Sequence, residues 1–417
     1  MRLPPGRLSG SVRVPGSKSL TNRALVAAAL APGRSEIAEP LDADDTRVLA
    51  GALERLGARV SFGPRAWVVE GPLTGGEGEV RIDVGPAGTP ARFLLALLSA
   101  LPGRFVLDGS ARMRERPMGP LVAALRARGA RIEAAGREGS LPLRIEGGAL
   151  SGGEVAVRGD VSSQFVSALL LVSPLVPGGL ALRVEGEPVS GAYVELTRRV
   201  LDVFAPEGVY RPARYFVPGD DSAACFPIAG AVLSGGRVRL EGLDPRSPQP
   251  DAVFRRWASE AGGRLSWEGE GDAAALVVEG PSGPVSPLEA DVDAAPDAAL
   301  PLAALVAFAG GISRLRRASR LREKESDRLA AAADLLARSG ASARVEEEAD
   351  GPVLVVDGRA GAPRRADFAA WDDHRVAMSA AVLALALPEG STVDEPGVVS
   401  KSYPAFWSDW AALAAAR

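Results

Sequence analysis

The chain has 417 residues, of which 47% are hydrophobic and 24% charged, and its formal net charge is −4. This length exceeds one ordinary hydrophobic core and the composition is globular, so we expect two domains. The weak negative charge disfavours nucleic acid as a partner, and one cysteine with one histidine excludes an internal disulfide and a Cys/His zinc site. No apolar run resembles a signal peptide or a membrane span, so the expected location is the cytoplasm.

The first distinctive stretch begins at Pro15, where a proline–glycine turn leads into Ser-Lys-Ser and an alanine–leucine helix extending to about Ala31. Free N–H groups and the positive dipole end of a helix start favour an anion, and Lys18 and Arg23 add charge. A helix cap with solvated charges explains the stretch alone equally well. Other segments favour the binding interpretation.

A helix, a glycine-containing turn and a short strand recur along the chain with a period of roughly 70 residues. The predicted helices cover 46–56, 119–128, 192–204, 250–261, 326–339 and 402–416. The predicted strands cover 67–70, 143–146, 180–185, 237–241, 275–279 and 353–357. About six such units fill the chain, which indicates an α/β or α+β protein built from repeats.

Three further segments carry polar groups at predicted helix starts or loops. Residues 85–92 are glycine-rich and place Arg92 one turn into a helix, which favours an anion site over a simple tight turn. Arg116 precedes Pro117, which disfavours helix and suits a side chain held on a loop, although a solvated basic turn is the alternative. Ser162 and Ser163 begin an apolar helix. Capping explains one serine, so the other, with Gln164, is expected to meet a ligand.

Residues 321–329 form the densest charged cluster. In a continuous helix, Arg320, Lys324 and Arg328 would share one face and repel each other unless an anion lay against them. A surface helix with salt bridges is the alternative. Glu325 lies within this cluster and is able to titrate, and Asp297 precedes an apolar helix as an acidic cap or a buried base.

Lysine is rare here: the 48 basic residues include only Lys18, Lys324 and Lys401, and all three fall in candidate site segments. A retained lysine suggests a need for a compact ammonium group. The single histidine, His374, is interpreted as structural. The pooled cations suit small, multiply charged anions, and the absence of Walker-type and Gly-x-Gly-x-x-Gly motifs disfavours nucleotide cofactors.

Five motifs together resemble those of the EPSP synthase branch of the enolpyruvyl transferase family. They lie at residues 15–24, 114–117, 162–165, 324–328 and 373–375, and the resemblance runs from Val14 to about Tyr403. It implies an α/β (α+β) fold of two similar domains, each of three βαβαββ units forming an inside-out α/β barrel, with the active site in the interdomain cleft. The implied domains are 15–217, on the shikimate-3-phosphate side, and 1–14 with 218–417, on the phosphoenolpyruvate side.

The resemblance implies transfer of the enolpyruvyl group of phosphoenolpyruvate to the 5-hydroxyl of shikimate-3-phosphate by addition and elimination, a step toward chorismate and the aromatic amino acids. It also implies a cytoplasmic monomer that needs no cofactor or metal and has no nucleic-acid or membrane partner. One alternative is the sister enzyme acting on UDP-N-acetylglucosamine. That enzyme usually carries a cysteine near 112–117 and an asparagine after its lysine, whereas this chain has Ser19 there and its cysteine at Cys225. A non-catalytic anion-binding homologue is the other alternative.

The resemblance also implies a role for each matching residue. The implied shikimate-3-phosphate ligands are Lys18, Ser19, Arg23, Ser162, Ser163, Gln164, Ser190, Tyr193, Asp297 and Lys324. The implied phosphoenolpyruvate ligands are Lys18, Gly88, Arg116, Gln164, Arg328, Arg375 and Lys401. The implied catalytic residues are Asp297, Glu325, Lys18 and Lys324. Pro86 and Arg320 stand where the family commonly has asparagine, so two amide contacts are not expected.

Overall fold

The computed structural model describes residues 1–76, 78–159, 161–186, 191–271 and 274–415. The α-helices are α1 (Lys18–Leu30), α2 (Asp44–Arg55), α3 (Gly88–Ala100), α4 (Ala111–Glu115), α5 (Gly119–Arg126), α6 (Ser163–Val172), α7 (Gly191–Phe204), α8 (Asp221–Ser234), α9 (Phe254–Glu260), α10 (Ala299–Leu305), α11 (Arg328–Ser339), α12 (His374–Ala384) and α13 (Phe406–Ala415). The strands are β1 (Ser9–Arg13), β2 (Gly33–Ala38), β3 (Arg59–Phe62), β4 (Ala66–Gly71), β5 (Glu79–Asp83), β6 (Gly103–Asp108), β7 (Arg131–Ala134), β8 (Leu143–Gly147), β9 (Gly153–Arg158), β10 (Leu180–Glu185), β11 (Arg214–Phe216), β12 (Arg237–Glu241), β13 (Arg264–Glu268), β14 (Ala275–Glu279), β15 (Glu289–Asp291), β16 (Ile312–Arg316), β17 (Ser342–Glu348), β18 (Gly351–Asp357), β19 (Asp367–Phe368) and β20 (Thr392–Val393).

The chain divides into two compact units. The central unit comprises residues 16–217, and the terminal unit comprises residues 1–15 and 218–417. Each has its own cluster of buried apolar side chains.

The described residues of the central unit form three small sheets. One has the order β5-β6-β8-β7, with β5 and β6 parallel and β8 antiparallel to both of its neighbours. A second has the order β11-β2-β4-β3 and the same pattern of directions. In the part of the chain that the structure describes, the third sheet is the parallel pair β9 and β10.

The terminal unit repeats this plan. Its four-stranded sheets have the orders β1-β12-β14-β13 and β15-β16-β18-β17, and its third sheet is the parallel pair β19 and β20. The expected α/β repeat architecture is confirmed. The third repeat differs from a full βαβαββ unit because its described residues form no antiparallel hairpin. In the central unit, the chain after α7 is interrupted by Pro206 and Pro212, and then β11 pairs in parallel with β2.

Three helices in each unit are enclosed by other elements. In the central unit these are α1, α3 and α6, which pack on one another. They are rich in alanine and leucine and are buried over almost their whole surface, as expected for helices that lack a polar stripe. In the terminal unit α8, α10 and α12 play the same part. Polar side chains on these helices therefore concentrate near their ends.

The charged segment before α11 does not form a continuous helix. Residues 318–323 form a 3-10 helix, and Lys324 then adopts an extended conformation with φ −84° and ψ −163°. The carboxylate of Asp327 accepts a hydrogen bond from the N–H of Ala330 and starts α11 at Arg328. Arg320, Lys324 and Arg328 thus do not share one helical face. Among the described residues, no helix is long and apolar enough to cross a membrane.

Candidate active site

The N-terminal ends of the buried helices of the central unit lie together. The Gln164 side chain, in the first turn of α6, donates a 3.2 Å hydrogen bond to the Thr89 hydroxyl in the first turn of α3. Arg23, in the second turn of α1, donates a 3.1 Å hydrogen bond to Ser167 on α6. The positive dipole ends of three helices therefore point to one region, which favours binding of anions.

Lys18 is the first residue of α1, as the sequence predicted, and it is held by a carboxylate. Its Nζ lies 3.1 Å from Oδ2 of Asp45, in the first turn of α2. The side chains are 12% and 5% exposed. Ser17, the residue before α1, is fully buried, and Ser19 is partly buried.

Arg23 is a buried connector between helices. Its Nε donates to Thr197 at 2.7 Å, Nη1 to the Ser19 carbonyl at 2.8 Å, and Nη2 to Ser167 and to the Tyr193 carbonyl at 3.0 Å. Burial lowers the pKa of Arg23 to about 10. Most of its five N–H donors are therefore engaged within the protein, and it fixes α1 against α6 and α7.

The start of α6 agrees with the sequence interpretation. Ser162 is the N-cap residue, and its hydroxyl accepts a hydrogen bond from the N–H of Gln164, as predicted for one of the two serines. Ser163 is buried and begins the helix. Tyr193 lies in the first turn of α7 and contributes its carbonyl to Arg23. Ser190 lies outside the described residues.

Arg116 lies on a loop against the N-terminus of α3. A Cβ atom added to Gly88, the first residue of α3, would lie only 2.5 Å from Nη1 of Arg116, so the guanidinium rests on the glycine backbone. Arg92 donates a 2.9 Å hydrogen bond to the Pro117 carbonyl and thereby fixes this loop. Considering the described residues, Nε and Nη1 of Arg116 are buried and have no hydrogen-bond partner. This guanidinium can therefore receive an anion.

The terminal unit contains a buried charge cluster centred on Arg328, a side chain with no exposed surface. Its Nε donates to Asp373 at 2.8 Å, Nη1 to Asp297 at 2.7 Å, and Nη2 to Glu325 at 2.7 Å. Three negative charges near it raise the pKa of Arg328 although burial opposes this. Arg328 therefore remains charged and connects two of the predicted catalytic carboxylates.

Asp297 is surrounded by positive charge. In addition to Arg328, Nη2 of Arg375 lies 3.2 Å from Oδ2 and Nζ of Lys324 lies 3.5 Å from Oδ1. Burial by itself raises the pKa of Asp297, but the charges of Arg375, Lys324 and Arg328 outweigh it and hold the pKa well below its ordinary value. Asp297 is thus an ionised carboxylate in this environment. If a bound anion paired with these cations instead, their effect on Asp297 would weaken and its pKa would rise.

Arg375, in the first turn of α12, contacts residues at the starts of α8 and α10. Besides Asp297, which precedes α10, it contacts Ser222 in the first turn of α8 through a 2.6 Å hydrogen bond. Its Nη1 lies 2.6 Å from Nε2 of His374, which is fully buried. Asp373 caps α12 by accepting from the N–H of Arg375. Lys401, an implied ligand of phosphoenolpyruvate, is buried at the end of the 3-10 helix before α13.

A further buried carboxylate, Asp251, belongs to the same electrostatic environment. Burial raises the pKa of Asp251 to about 7, the negative charge of Asp297 adds to this effect, and Arg375 opposes it. Asp251 lies in the 3-10 helix that precedes α9.

Several residues of these sites had no role assigned from the sequence. Asp45 and Thr197 are separated from their partners by 27 and 174 residues, and no local spacing connects them. Asp373 stood in a recognised motif, but only folding brings it to Arg328. In the sequence, an acidic residue directly before an apolar helix indicates a helix cap, and Asp373 is the N-cap residue of α12.

Known proteins resemble this chain over nearly its whole length. The family model of EPSP synthase (3-phosphoshikimate 1-carboxyvinyltransferase) matches residues 3–410. A 3-phosphoshikimate 1-carboxyvinyltransferase from Syntrophobacter fumaroxidans is 38% identical over 426 residues, covering 98% of each chain. One from Burkholderia vietnamiensis is 38% identical over 436 residues, covering 99% of this chain and 98% of the relative.

Solved structures give the same result for the fold. An EPSP synthase from Acinetobacter baumannii superimposes with a TM-score of 0.82 at 26% identity, covering 99% of this chain and 97% of that one. The enolpyruvyl transferase NikO from Streptomyces tendae, at 19% identity and a TM-score of 0.74, shares the fold. With a family model matched over nearly its full length and full-length relatives at 38% identity, the chain belongs to the EPSP synthase family.

Proposed function

We propose that this chain transfers the enolpyruvyl group of phosphoenolpyruvate to the 5-hydroxyl of shikimate-3-phosphate and releases phosphate. The observation that carries the proposal is the match to the EPSP synthase family over residues 3–410 together with the charge cluster of the terminal unit. That cluster combines two candidate proton-transfer carboxylates, Asp297 and Glu325, with three cations.

The reaction requires charge stabilisation and proton transfer. The 5-hydroxyl oxygen adds to C2 of phosphoenolpyruvate while C3 gains a proton, and phosphate then leaves as C3 loses a proton. Negative charge grows on the leaving phosphate, and preorganised cations stabilise it best in a site shielded from water. We assign this stabilisation to Lys18, Arg116, Lys324, Arg375 and Lys401.

Two carboxylates can divide the proton transfers if their environments differ. Asp297 contacts three cations, whereas Glu325 has a 2.7 Å contact with Arg328. We therefore assign Asp297 to the acceptor hydroxyl, as base and ligand, and Glu325 to the proton at the pyruvyl methylene. Binding of anionic substrates to Arg375 and Lys324 would weaken their hold on Asp297 and raise its basicity at the moment it is needed.

We assign substrate binding by residue as follows. The proposed ligands of shikimate-3-phosphate are Lys18, Ser19, Arg23, Ser162, Ser163, Gln164, Ser190, Tyr193, Asp297 and Lys324. Those of phosphoenolpyruvate are Lys18, Gly88, Arg116, Gln164, Arg328, Arg375 and Lys401. The convergence of helix N-termini supports the first group, and the unpartnered buried donors of Arg116 within the described chain support the second. For Arg23 and Arg328 the proposal is a combined role, since both also bind protein groups.

We further propose that the central unit is the shikimate-3-phosphate domain and the terminal unit the phosphoenolpyruvate domain, and that the chain acts as a cytoplasmic monomer. Sedimentation velocity of the purified chain tests the monomer: a single species near 43.0 kDa is expected.

The identity of the acceptor substrate is tested by mass spectrometry of the reaction products. With phosphoenolpyruvate and an equimolar mixture of shikimate-3-phosphate and UDP-N-acetylglucosamine, we expect only the phosphoshikimate adduct. Formation of the nucleotide-sugar adduct would contradict the assignment. Tight binding of shikimate-3-phosphate in calorimetry with no adduct of either kind would indicate a non-catalytic homologue.

A further inference from the structure

The Lys18 ammonium is paired with the carboxylate of Asp45, a residue that is not among the proposed substrate ligands. Lys18 has a flexible four-carbon stem, so its charged group occupies one position only if something fixes it. The Asp45 carboxylate lies 3.1 Å from Nζ, and both side chains are largely buried. This ion pair holds the ammonium close to the N-terminus of α2.

The burial of Asp45 needs an explanation beyond helix electrostatics. An acid in the first turn favours a helix through its dipole, but an exposed acid serves this purpose equally. Asp44, in the same turn of α2, is exposed, whereas Asp45 is 4% exposed. Buried carboxylates are rare unless they are paired with a cation, because a buried charge loses its stabilisation by water. The pairing with Lys18 accounts for the position of Asp45.

Both ends of the pair are attached to one rigid frame. The Thr21 hydroxyl, one turn after Lys18, accepts a 3.0 Å hydrogen bond from the N–H of Leu41. Thr46, beside Asp45, donates a 2.8 Å hydrogen bond to the carbonyl of the same Leu41. Gly16 allows close approach, because a Cβ there would collide with the Glu39 carbonyl oxygen. The starts of α1 and α2 are therefore locked in one relative position.

We infer that Asp45 is a positioning residue, which acts through Lys18 by fixing its ammonium for the reaction. This inference rests on the proposed transferase activity. A displacement of about 1 Å in a catalytic group can cost on the order of 100-fold in rate, so loss of this partner should lower turnover strongly.

The test compares Asp45→Asn with Asp45→Glu and with the control Asp42→Asn. Asp42 pairs with Arg47 in the same segment, but both side chains are exposed. Phosphate release, kcat, the KM of each substrate and the melting temperature are measured for each variant. We expect Asp42→Asn to keep kcat within twofold of the wild type. For Asp45→Asn we expect a loss of kcat of at least 30-fold at a temperature at which the variant is folded, and a melting temperature below that of the control because a largely buried ion pair is broken.

Asp45→Glu restores the charge with one extra methylene, and at least fivefold recovery over Asp45→Asn is expected. A kcat of Asp45→Asn less than 30-fold below that of the control, or less than fivefold recovery in Asp45→Glu, would overturn the inference. If Asp45→Asn does not fold, Asp45→Glu decides alone: a folded variant with a three- to 30-fold lower kcat supports the inference, and any other result contradicts it. If the wild type itself releases no phosphate with shikimate-3-phosphate, the proposed function has failed instead.

Discussion

The Asp297 carboxylate accepts a 2.7 Å hydrogen bond from Nη1 of Arg328, a side chain with no exposed surface. The same guanidinium binds Glu325 through Nη2, so one arginine connects both carboxylates proposed for proton transfer. Arg328 therefore couples the positions of the two carboxylates, while Arg375 and Lys324 also contact Asp297, and each member of the cluster can be tested separately.

Replacing Asp297 should affect turnover more than binding. Asp297→Asn keeps the size of the side chain but removes the charge and the basic oxygen, so kcat should fall on the order of 10²–10⁴-fold. Binding of shikimate-3-phosphate, measured by calorimetry, should weaken by less than about tenfold because the phosphate ligands remain. Asp293→Asn is the matched control, since Asp293 pairs with Arg317 and Arg320 nearby. Near-normal turnover in Asp297→Asn would refute its assignment.

Glu325→Gln should also lower kcat by roughly 10²-fold or more, because the amide retains a hydrogen-bond acceptor for Arg328 but cannot exchange the methylene proton. The direct measurement is incorporation of solvent deuterium into the methylene group of phosphoenolpyruvate. We expect exchange to slow in parallel with kcat. Glu323→Gln, an exposed neighbour, should behave as the wild type. Undiminished exchange in Glu325→Gln would exclude Glu325 from that step.

Arg328→Gln should destabilise the terminal unit, because it leaves three carboxylates without their shared cation. Breaking a buried ion pair costs about 3–5 kcal/mol, which corresponds to a fall in melting temperature of roughly 6–20 °C. Arg338→Gln on the same helix breaks an exposed pair with Asp334 and should change the melting temperature by no more than about 2 °C. Calorimetric melting of both variants provides the comparison. Equal melting temperatures would mean that Arg328 is not needed to hold the cluster.

The buried acid Asp251 should make stability depend on pH in a particular direction. Its pKa is raised from the ordinary value of 3.8 to about 7 in the folded chain, so the folded state binds this proton more tightly than the unfolded state. The stabilisation from this group is complete below about pH 4 and is lost as the pH rises to about 7. Relative to the wild type, the melting temperature of Asp251→Asn should therefore rise between pH 5 and 7 and level off above. Asp350→Asn, an exposed acid, should show no such trend.

Gly88→Ala tests the anion site at Arg116. The new methyl group would lie 2.5 Å from Nη1 and 2.9 Å from Cζ of Arg116, so the guanidinium must move. The KM for phosphoenolpyruvate should increase by roughly tenfold, while that for shikimate-3-phosphate changes little. Gly51→Ala, where no heavy atom lies within 4 Å of the added Cβ, is the control in a neighbouring helix. Equal effects on both substrates would argue against a specific phosphoenolpyruvate contact at this glycine.

Much of the local structure could be predicted from the sequence, because local signals determine it. The start of α1 in the polar run after Gly16 and the start of α6 at Ser162 are confirmed, and the Ser162 hydroxyl makes the expected capping hydrogen bond. The strand β12, whose buried and exposed residues alternate, and the strand β18, which is a continuous apolar run, were also predicted from the sequence. Strands of two or three residues, such as β19, carry too few side chains for a period to appear.

Features that depend on distant partners were not predictable from one sequence. Whether Arg320, Lys324 and Arg328 share one helical face could not be decided from their spacing, and in the structure Asp327 starts α11 only at Arg328. The pairing of Asp45 with Lys18 is likewise a product of tertiary structure. Local spacing identified which charged residues matter, while the fold decides which of them bind each other.

The central claim is tested most directly by the time course of phosphate release from phosphoenolpyruvate by the purified wild-type chain, with and without shikimate-3-phosphate. We expect release that depends on shikimate-3-phosphate and yields one phosphate for each acceptor consumed. Release that is equally fast without the acceptor, or no release with both substrates present, would contradict the account.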